Sequence, residues 1–377
     1  MVSVLAAVAV LQAASGSPVS TPFREGWTKL PLPQEVRDGV TWLWAGSELL
    51  AFGGCDPQTT NDCVETGDGY TFDPATPAWS PLPEAPLPVA FASAVWTGGE
   101  AIFLAVEGAS RELGGVSFDP LERSWRTLPP APVPPRPGSV TIWTGAEVIV
   151  WGGGEPDEPG TSEGAAYDPR RDDWREIAEA PLGLNHASVV WTGTEMVVFG
   201  SLLDDRNISN ERVSVGAAYD PVADSWRRIS DSRLSPQATS AVWTGGRMVA
   251  WDYDVHSQEY DAMADAWTDP LRMPLDFSEC YPESTVVRGL VFGFFCGRVA
   301  LYDVTTDGWV AVHGGPLGDR IATGGRSYEL WRFATPISSG DVVFLPMEGV
   351  TLDEGDVLCY GCPGSPISFW AYRPPTP

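Results

Sequence analysis

The sequence predicts an all-β fold in which seven four-stranded sheets, or blades, stand around a central channel as a β-propeller. The first observation is the composition of the 377 residues, which include 17 Trp, 40 Gly and 35 Pro but only 19% charged residues. Such a composition is typical of many short strands joined by tight turns rather than of long surface helices. The second observation is a repeated unit, and the third is the number of its copies.

The first half of the unit consists of two apolar strands around a short turn, as in Trp143-Thr-Gly-Ala-Glu147. Glycine supplies the positive φ angle that a tight hairpin requires, and the β-branched residues on either side favour strands. Related turns begin at Trp96, Trp191 and Trp243. Because these strands are continuously hydrophobic, we expect them to be the inner strands of a blade, buried on both faces.

The second half of the unit reads aromatic, Asp, Pro and, after four more residues, Trp, as in Tyr167-Asp168-Pro169 to Trp174. The Asp side chain stabilises a turn and Pro ends the strand, so strand three stops and strand four begins within a few residues. Each Trp offers roughly 200 Å² of surface, and its regular spacing favours packing between neighbouring blades over stacking on a carbohydrate.

Both parts of the repeat occur seven times. The closing tryptophans are Trp27, Trp79, Trp125, Trp174, Trp226, Trp267 and Trp309. The aromatic residues of the third strands are Phe72, Phe118, Tyr167, Tyr219, Tyr260, Tyr302 and Tyr372.

The order of these residues predicts how the ring closes. Trp27 precedes any complete unit, and the last aromatic residue, Tyr372, has no Trp after it. The strand around Gly26–Leu30 should therefore become the outer strand of the C-terminal blade, which removes an open sheet edge. A six-bladed ring is the alternative, because the stretch from Ile321 to Met347 matches the inner-strand pattern poorly.

Paired hydrophobic strands that end in Gly-Gly, followed by aromatic-Asp-Pro and a closing Trp, resemble the Kelch repeat. The Gly-Gly steps are Phe52-Gly53-Gly54 and Trp151-Gly152-Gly153, and the resemblance extends from Trp27 to Pro374. It implies a Kelch-type propeller similar to bacterial Kelch-like proteins and to the central domain of galactose oxidase. The copper enzymes of that type need two Tyr, two His and a Cys crosslinked to Tyr. Only three His are present here, in different blades, so we expect no metal and no other cofactor.

The net charge of −27 and the pI near 4.3 argue against nucleic acid and anionic lipid as partners. Affinity for either depends on Lys and Arg that neutralise negative charge. We take the acidity as an adaptation for solubility rather than as evidence for a cation site.

Residues 1–20 resemble the apolar and cleavage portions of a secretory signal, truncated before its basic leader, and residues 21–377 are assigned to the propeller. The alternative is that this stretch is not a signal. Six cysteines form three local pairs, an even count that suits oxidised loops. The expected disulfides are Cys55 with Cys63, Cys280 with Cys296, and Cys359 with Cys362. We therefore predict a secreted or cell-envelope protein with no integral membrane span.

The long loops between strands two and three, and the residues that precede each first strand, are where a rigid scaffold would carry specificity. The loops are Cys55 to Gly69, Gly152 to Gly164, Ser201 to Val215 and Glu348 to Pro366. The candidate ligand-binding residues are Arg37, Arg136, Asn185, His186, Gln237, Glu283 and Arg326. Several Arg side chains around the channel mouth could hold a carboxylate or an acidic sugar. The alternative is that these side chains only line a wet channel.

No convergent catalytic set stands out, so the preferred hypothesis is a secreted, non-catalytic, monomeric module that binds a protein or a carbohydrate. The alternative is a carbohydrate-acting enzyme, similar to a sialic acid epimerase or a lyase, in the channel mouth. For it, His186, Glu283 or Arg136 could transfer protons. A component of the cell envelope or an adhesion protein is a third hypothesis.

Overall fold

A computed structural model describes residues 22–35, 37, 39–56, 63–105, 113–154, 160–185, 187–203, 212–235, 240–252, 256–273, 283–295, 298–312, 336–348 and 367–375. The chain forms seven antiparallel sheets arranged as a seven-bladed β-propeller, and the described residues contain no helix. The predicted all-β fold and the predicted number of blades are confirmed.

Blades one to six each follow the order of the chain from the innermost strand outwards. Blade one contains β2 (Thr41–Trp44), β3 (Leu49–Phe52), β4 (Gly69–Asp73) and β5 (Ala78–Pro81), and blade two contains β6 (Ser93–Trp96), β7 (Ala101–Ala105), β8 (Gly114–Asp119) and β9 (Ser124–Thr127). Blade three contains β10 (Ser139–Trp143), β11 (Val148–Gly152), β12 (Gly164–Asp168) and β13 (Asp173–Glu176). Blade four contains β14 (Ser188–Trp191), β15 (Met196–Leu203), β16 (Arg212–Asp220) and β17 (Ser225–Arg228).

The remaining blades vary this plan. Blade five contains β18 (Ser240–Trp243), β19 (Met248–Trp251), β20 (His256–Asp261) and β21 (Ala266–Trp267), with β22 (Leu271–Arg272) also paired to β20. Blade six contains β23 (Glu283–Val287), β24 (Leu290–Phe295), β25 (Arg298–Asp303) and β26 (Gly308–Val312). Blade seven contains β27 (Ile337–Ser338), β28 (Val343–Glu348), β29 (Ile367–Arg373) and, as its outer strand, β1 (Gly26–Leu30).

Blade seven closes the ring as the sequence predicts. Trp27 of β1 lies opposite Tyr372 of β29, and Leu30 lies opposite Phe369. Each of the seven spaces between neighbouring blades is filled by its own apolar cluster, including the space between blades seven and one. The six-bladed alternative was wrong, because β27 and β28 lie in the stretch that matches the inner-strand pattern poorly.

The turns explain why the repeated motifs recur. In blade three Gly145 has a φ angle of 94°, and the hydroxyl of Thr144 accepts a hydrogen bond from the amide of Glu147 at 2.9 Å. Between strands three and four, a carboxylate oxygen of Asp168 accepts one from the amide of Arg170 at 2.9 Å. Side chains that pair with turn amides in this way favour a tight reversal of the chain.

The closing Trp residues pack between blades, as predicted. Trp226 lies against Tyr219 of its own blade and against Trp151 of blade three, with ring centroids 5.0 and 5.3 Å away. Its indole N–H donates to the carbonyl of Ala178 in the connection between the two blades, at 2.7 Å. Trp79, Trp125, Trp174 and Trp267 donate equivalent bonds.

One predicted loop is shorter than expected. The stretch from Ser201 to Val215 was assigned to a loop, but β15 extends to Leu203 and β16 begins at Arg212. Two long strands that pair along their whole length satisfy each other's backbone groups, which an irregular loop cannot do. These two strands therefore shorten the predicted loop at both of its ends.

Candidate functional site

The antiparallel order gives the ring two different faces. The turns that join strands one and two, and strands three and four, lie at one end of each blade, which we call the turn face. The connections from strand two to strand three and from one blade to the next lie at the opposite end, which we call the loop face. The two faces differ in whether their polar contacts repeat.

On the turn face, the same polar network joins successive blades. Arg175, next to the closing Trp of blade three, binds Glu147 of the first turn at 2.7 Å. Its other nitrogen donates to the hydroxyl of Tyr219 in blade four at 3.3 Å and lies 3.6 Å from Asp224. We call this arrangement the inter-blade clasp. Arg126 makes it with Glu100, Tyr167 and Asp172, and Arg227 makes it with Glu195, Tyr260 and Asp265.

The clasp perturbs the groups that it contains. Burial and the hydrogen bond to Asp224 raise the pKa of Tyr219. The same hydrogen bond, donated by the tyrosine hydroxyl at 2.5 Å, holds the pKa of Asp224 below its usual value. Burial likewise raises the pKa of Tyr260 to about 12. These tyrosines therefore stay protonated and act as donors to the carboxylates at neutral pH.

Between blades five and six, a different set of charged groups makes the contact. Arg247 occupies the turn position that is Glu in blades two to four, and it lies 3.6 Å from Glu259 on strand three. Glu259 then accepts a hydrogen bond from the hydroxyl of Tyr302 in blade six at 2.8 Å. The tyrosine of the next blade therefore meets a carboxylate here, where it meets an arginine in the clasp.

On the loop face, the first candidate residue along the chain is Arg37, which precedes the first strand of blade one. One guanidinium nitrogen donates to Thr66 at 3.0 Å, and the other donates to Asp68 at 2.9 Å and to Glu35 at 2.6 Å. The Arg37 side chain is only 12% exposed, whereas both carboxylates are about half exposed. The hydrogen bond from Arg37 lowers the pKa of Asp68.

Arg136 has the corresponding place in blade three and pairs with Glu163, the residue before β12. The Arg136 side chain is 18% exposed and that of Glu163 is 52% exposed, so the carboxylate is again the group that faces solvent. Both residues line a narrow crevice with Ser139 and Trp151, whose space of ≈ 10 Å³ has room for about one water molecule.

Two further candidates lie on the loop face. Asn185, before the first strand of blade four, donates its side-chain N–H to the carbonyl of Gly154 at 3.2 Å and so joins blades three and four. Glu283 begins β23 and is partly accessible. Protein atoms nevertheless surround its carboxyl group closely enough that desolvation raises its pKa to about 7. No hydrogen bond or ion pair of this carboxyl group occurs within the described part of the chain.

Arg37 and Arg136 are therefore not free to form a ring of unpaired arginines, because carboxylates of the same blade neutralise each of them. Sequence reasoning missed Asp68 and Glu163, which share one signal: each directly precedes the first glycine of a third strand. His186, Gln237 and Arg326 lie outside the described residues.

The described residues account for one of the three expected disulfides. Cys55 and Cys63 are joined, with their sulfur atoms 2.01 Å apart. Cys280, Cys296, Cys359 and Cys362 lie outside the described residues. Within the described ranges, no group of three or more His, Cys, Asp or Glu is arranged to hold a metal ion. None of the described segments is a helix that is long and apolar enough to cross a membrane.

A solved structure titled "Structure of YjhT" is similar to this fold, with a TM-score of 0.52. The similarity covers 76% of this chain and 99% of that one at 13% sequence identity, which supports the propeller fold alone. No family model matches the sequence, and no curated protein matches it.

Proposed function

We propose that this protein is a secreted, non-catalytic binding module that takes a protein or carbohydrate ligand on its loop face. The observation that carries the proposal is the contrast between the two faces within a single chain. Seven copies of one unit act as an internal comparison, because what the scaffold needs should recur in several blades. The inter-blade clasp joins three successive pairs of blades, whereas the loop face carries an Arg–acid pair in blades one and three, Asn185 in blade four and Glu283 in blade six.

The loop-face contacts support recognition of a ligand rather than a purely structural role. Arg37 and Arg136 are largely buried, and they orient the exposed carboxylates of Asp68 and Glu163. Charged groups held in one rotamer lose little entropy on binding, so they favour specific contacts with a partner. A rigid ring that presents dissimilar side chains is how binding propellers are used.

Two features support export and membership of the Kelch group. The disulfide between Cys55 and Cys63 bridges the strand-two to strand-three connection of blade one, which suits an oxidising compartment. The Gly-Gly steps and closing Trp residues support the Kelch assignment. Mass spectrometry of the protein secreted by a host cell tests the first point by locating the mature N-terminus between residues 15 and 25.

The binding proposal is tested by screening the purified protein against an array of glycans and an array of extracellular proteins. Any ligand found is then measured with a loop-face variant, Arg37→Ala combined with Arg136→Ala, and with a turn-face control, Arg170→Ala. We expect the loop-face variant to lose at least about tenfold in affinity, equivalent to about 1.4 kcal/mol, and the control to bind normally. Loss of binding in the control alone would contradict the proposal.

A carbohydrate-acting enzyme is the second candidate, and Glu283 is the observation that favours it. A carboxyl group with a pKa near 7 can both donate and accept a proton at neutral pH. Under this hypothesis the protein interconverts or cleaves a sugar, and Glu283→Gln lowers turnover about 100-fold or more while substrate affinity changes little. NMR spectra of acidic and neutral sugars incubated with wild type and variant decide between the two functions.

A further inference from the structure

The innermost strand of blade six carries a carboxyl group where other blades carry a small hydroxyl group. Strand pairing aligns Glu283 with the first residue of the innermost strand in four other blades. Those residues are Thr41, Ser93, Ser188 and Ser240. The propeller scaffold therefore does not require an acid at this position.

Nothing in the described neighbourhood compensates the charge of Glu283. Its strand, β23, contacts β18, β24 and β27. These three strands have the sequences SAVW, LVFGFF and IS, without a single titratable side chain. A carboxylate that is desolvated without a partner costs free energy, and such groups are concentrated at functional sites.

A second polar group without a partner lies on the same side of the strand. Thr285 is two residues after Glu283, so both side chains point to the same face of β23. This face is directed towards blade seven, because Val287 belongs to the apolar cluster between blades six and seven. Thr285 is only 1% exposed, and its hydroxyl oxygen has no hydrogen-bond partner among the described residues.

We propose that the wall of the central channel between blades six and seven binds a primary ammonium group, held by the carboxylate of Glu283 with the hydroxyl of Thr285 as a second acceptor. This inference deepens the proposed binding function, because it names the chemical class of the ligand. An ammonium group offers three N–H donors to oxygen acceptors and restores the missing charge partner. The net charge of −27 attracts cations to this protein and disfavours an anionic ligand.

A divalent metal ion fits this pair of groups less well. Ca²⁺ takes six to eight oxygen ligands, and Mg²⁺ needs nearly ideal octahedral geometry. One carboxyl group and one hydroxyl group supply too few of them. An ammonium group is satisfied by two or three acceptors and needs no cage of ligands.

The test uses three probes, butylammonium chloride, a terminally blocked Gly-Lys-Gly peptide and the same peptide with norleucine in place of lysine. Binding to the full-length protein is followed by NMR titration at neutral pH. We expect the first two probes to bind and the norleucine peptide not to bind. Binding of butylammonium without the lysine peptide would identify a small amine as the ligand, whereas binding of both would favour a lysine side chain of a partner protein.

Two variants and a control make the result specific for Glu283. Glu283→Gln and Glu283→Ser should each weaken binding about tenfold or more, the latter introducing the residue of three other blades. Glu122→Gln removes one negative charge from an exposed turn on the opposite face and should leave binding unchanged. Equal weakening in all three variants would overturn the proposal, as would equal binding of the norleucine peptide or no binding by either amine. If these probes fail while a ligand of the loop face still depends on Arg37 and Arg136, only this inference is lost.

Discussion

The turn face and the loop face of this propeller are built from the same seven units but follow different rules. On the turn face, Arg126, Arg175 and Arg227 make one contact three times, and Glu259, the partner of Arg247, contacts the corresponding tyrosine of blade six. On the loop face, Arg37 and Arg136 pair with acids of their own blade, whereas Glu283 has no described partner. The turn-face contact thus joins three successive pairs of blades, whereas the described loop-face groups are an Arg–acid pair in blades one and three, an amide in blade four and an acid with no described partner in blade six.

This difference predicts which substitutions change stability and which change binding. A residue of the repeated set should destabilise the ring when it is removed and leave a ligand unaffected. A loop-face residue should do the reverse, or should even stabilise the protein when it is removed. Four substitutions test this division between the two faces.

Removal of a closing Trp should have the largest effect. Trp226→Ala deletes contacts with Tyr219 and Trp151 and the hydrogen bond to Ala178, and should lower the free energy of unfolding by about 3–4 kcal/mol. Urea denaturation of wild type and variant measures this change in the free energy of unfolding. Val222→Ala, at an almost fully exposed position in the same blade, is the control and should change stability by less than about 0.5 kcal/mol.

Glu283→Ser should stabilise the protein at pH 8 by about 3 kcal/mol, because each pKa unit corresponds to about 1.4 kcal/mol. Burial raises the pKa of Glu283 from 4.5 to about 7 in the folded protein. The folded state therefore binds the proton more tightly than the unfolded state, and wild-type stability falls as the pH rises from 4.5 to 7. The free energy of unfolding of the variant should equal that of wild type below pH 4.5, and its excess over wild type should be complete above pH 7. Denaturation curves at pH 4, 6 and 8 measure the difference in free energy of unfolding between variant and wild type. A difference that did not grow with pH would contradict the prediction.

Arg175→Leu should destabilise the protein by about 1–2 kcal/mol, because it leaves the partly buried Glu147 without its partner and removes a contact with Tyr219. The effect is limited because the Arg175 side chain is about one-third exposed. A double-mutant cycle with Glu147→Gln measures the coupling between the two residues. Arg170→Leu in the adjacent exposed turn serves as the control, and an equal loss there would exclude a special role of the clasp.

Arg136→Ala combined with Glu163→Ala should have the smallest effect on stability, below about 1 kcal/mol, since the pair is removed together and no charge is left unpaired. Thermal unfolding measures the change. The same variant should lose affinity for a loop-face ligand. A loss of stability comparable to that of Arg175→Leu would show that the loop-face pair supports the scaffold and would weaken the contrast between the faces.

The repeated motifs were sufficient to predict the blades, their number and the closing strand. Turn residues such as Gly145 and Asp168 act within a few residues of their own positions, so their role is visible in the sequence. The disulfide between Cys55 and Cys63 was predictable for the same reason. The expected loop from Ser201 to Val215 was partly wrong, because long-range pairing between β15 and β16 extended both strands.

The candidate site was predicted less completely than the fold. Sequence position placed Arg37, Arg136, Asn185 and Glu283 at the loop-face ends of their blades, but it did not reveal which of them have partners. Asp68 is 31 residues from Arg37, and Glu163 is 27 residues from Arg136. Contacts over such separations depend on where a blade places the start of its third strand relative to the start of its first.

By itself, the sequence determined that this chain makes seven blades and joins its ends in one of them, because strand alternation and turn chemistry are local properties repeated along the chain. Only the tertiary structure decided which charges are neutralised and which are not. Arg136 is paired and Glu283 is not because each blade meets different side chains across its own sheet and its neighbours. The energy of a charge depends on every group within a few ångströms, and folding brings those groups together from distant parts of the chain.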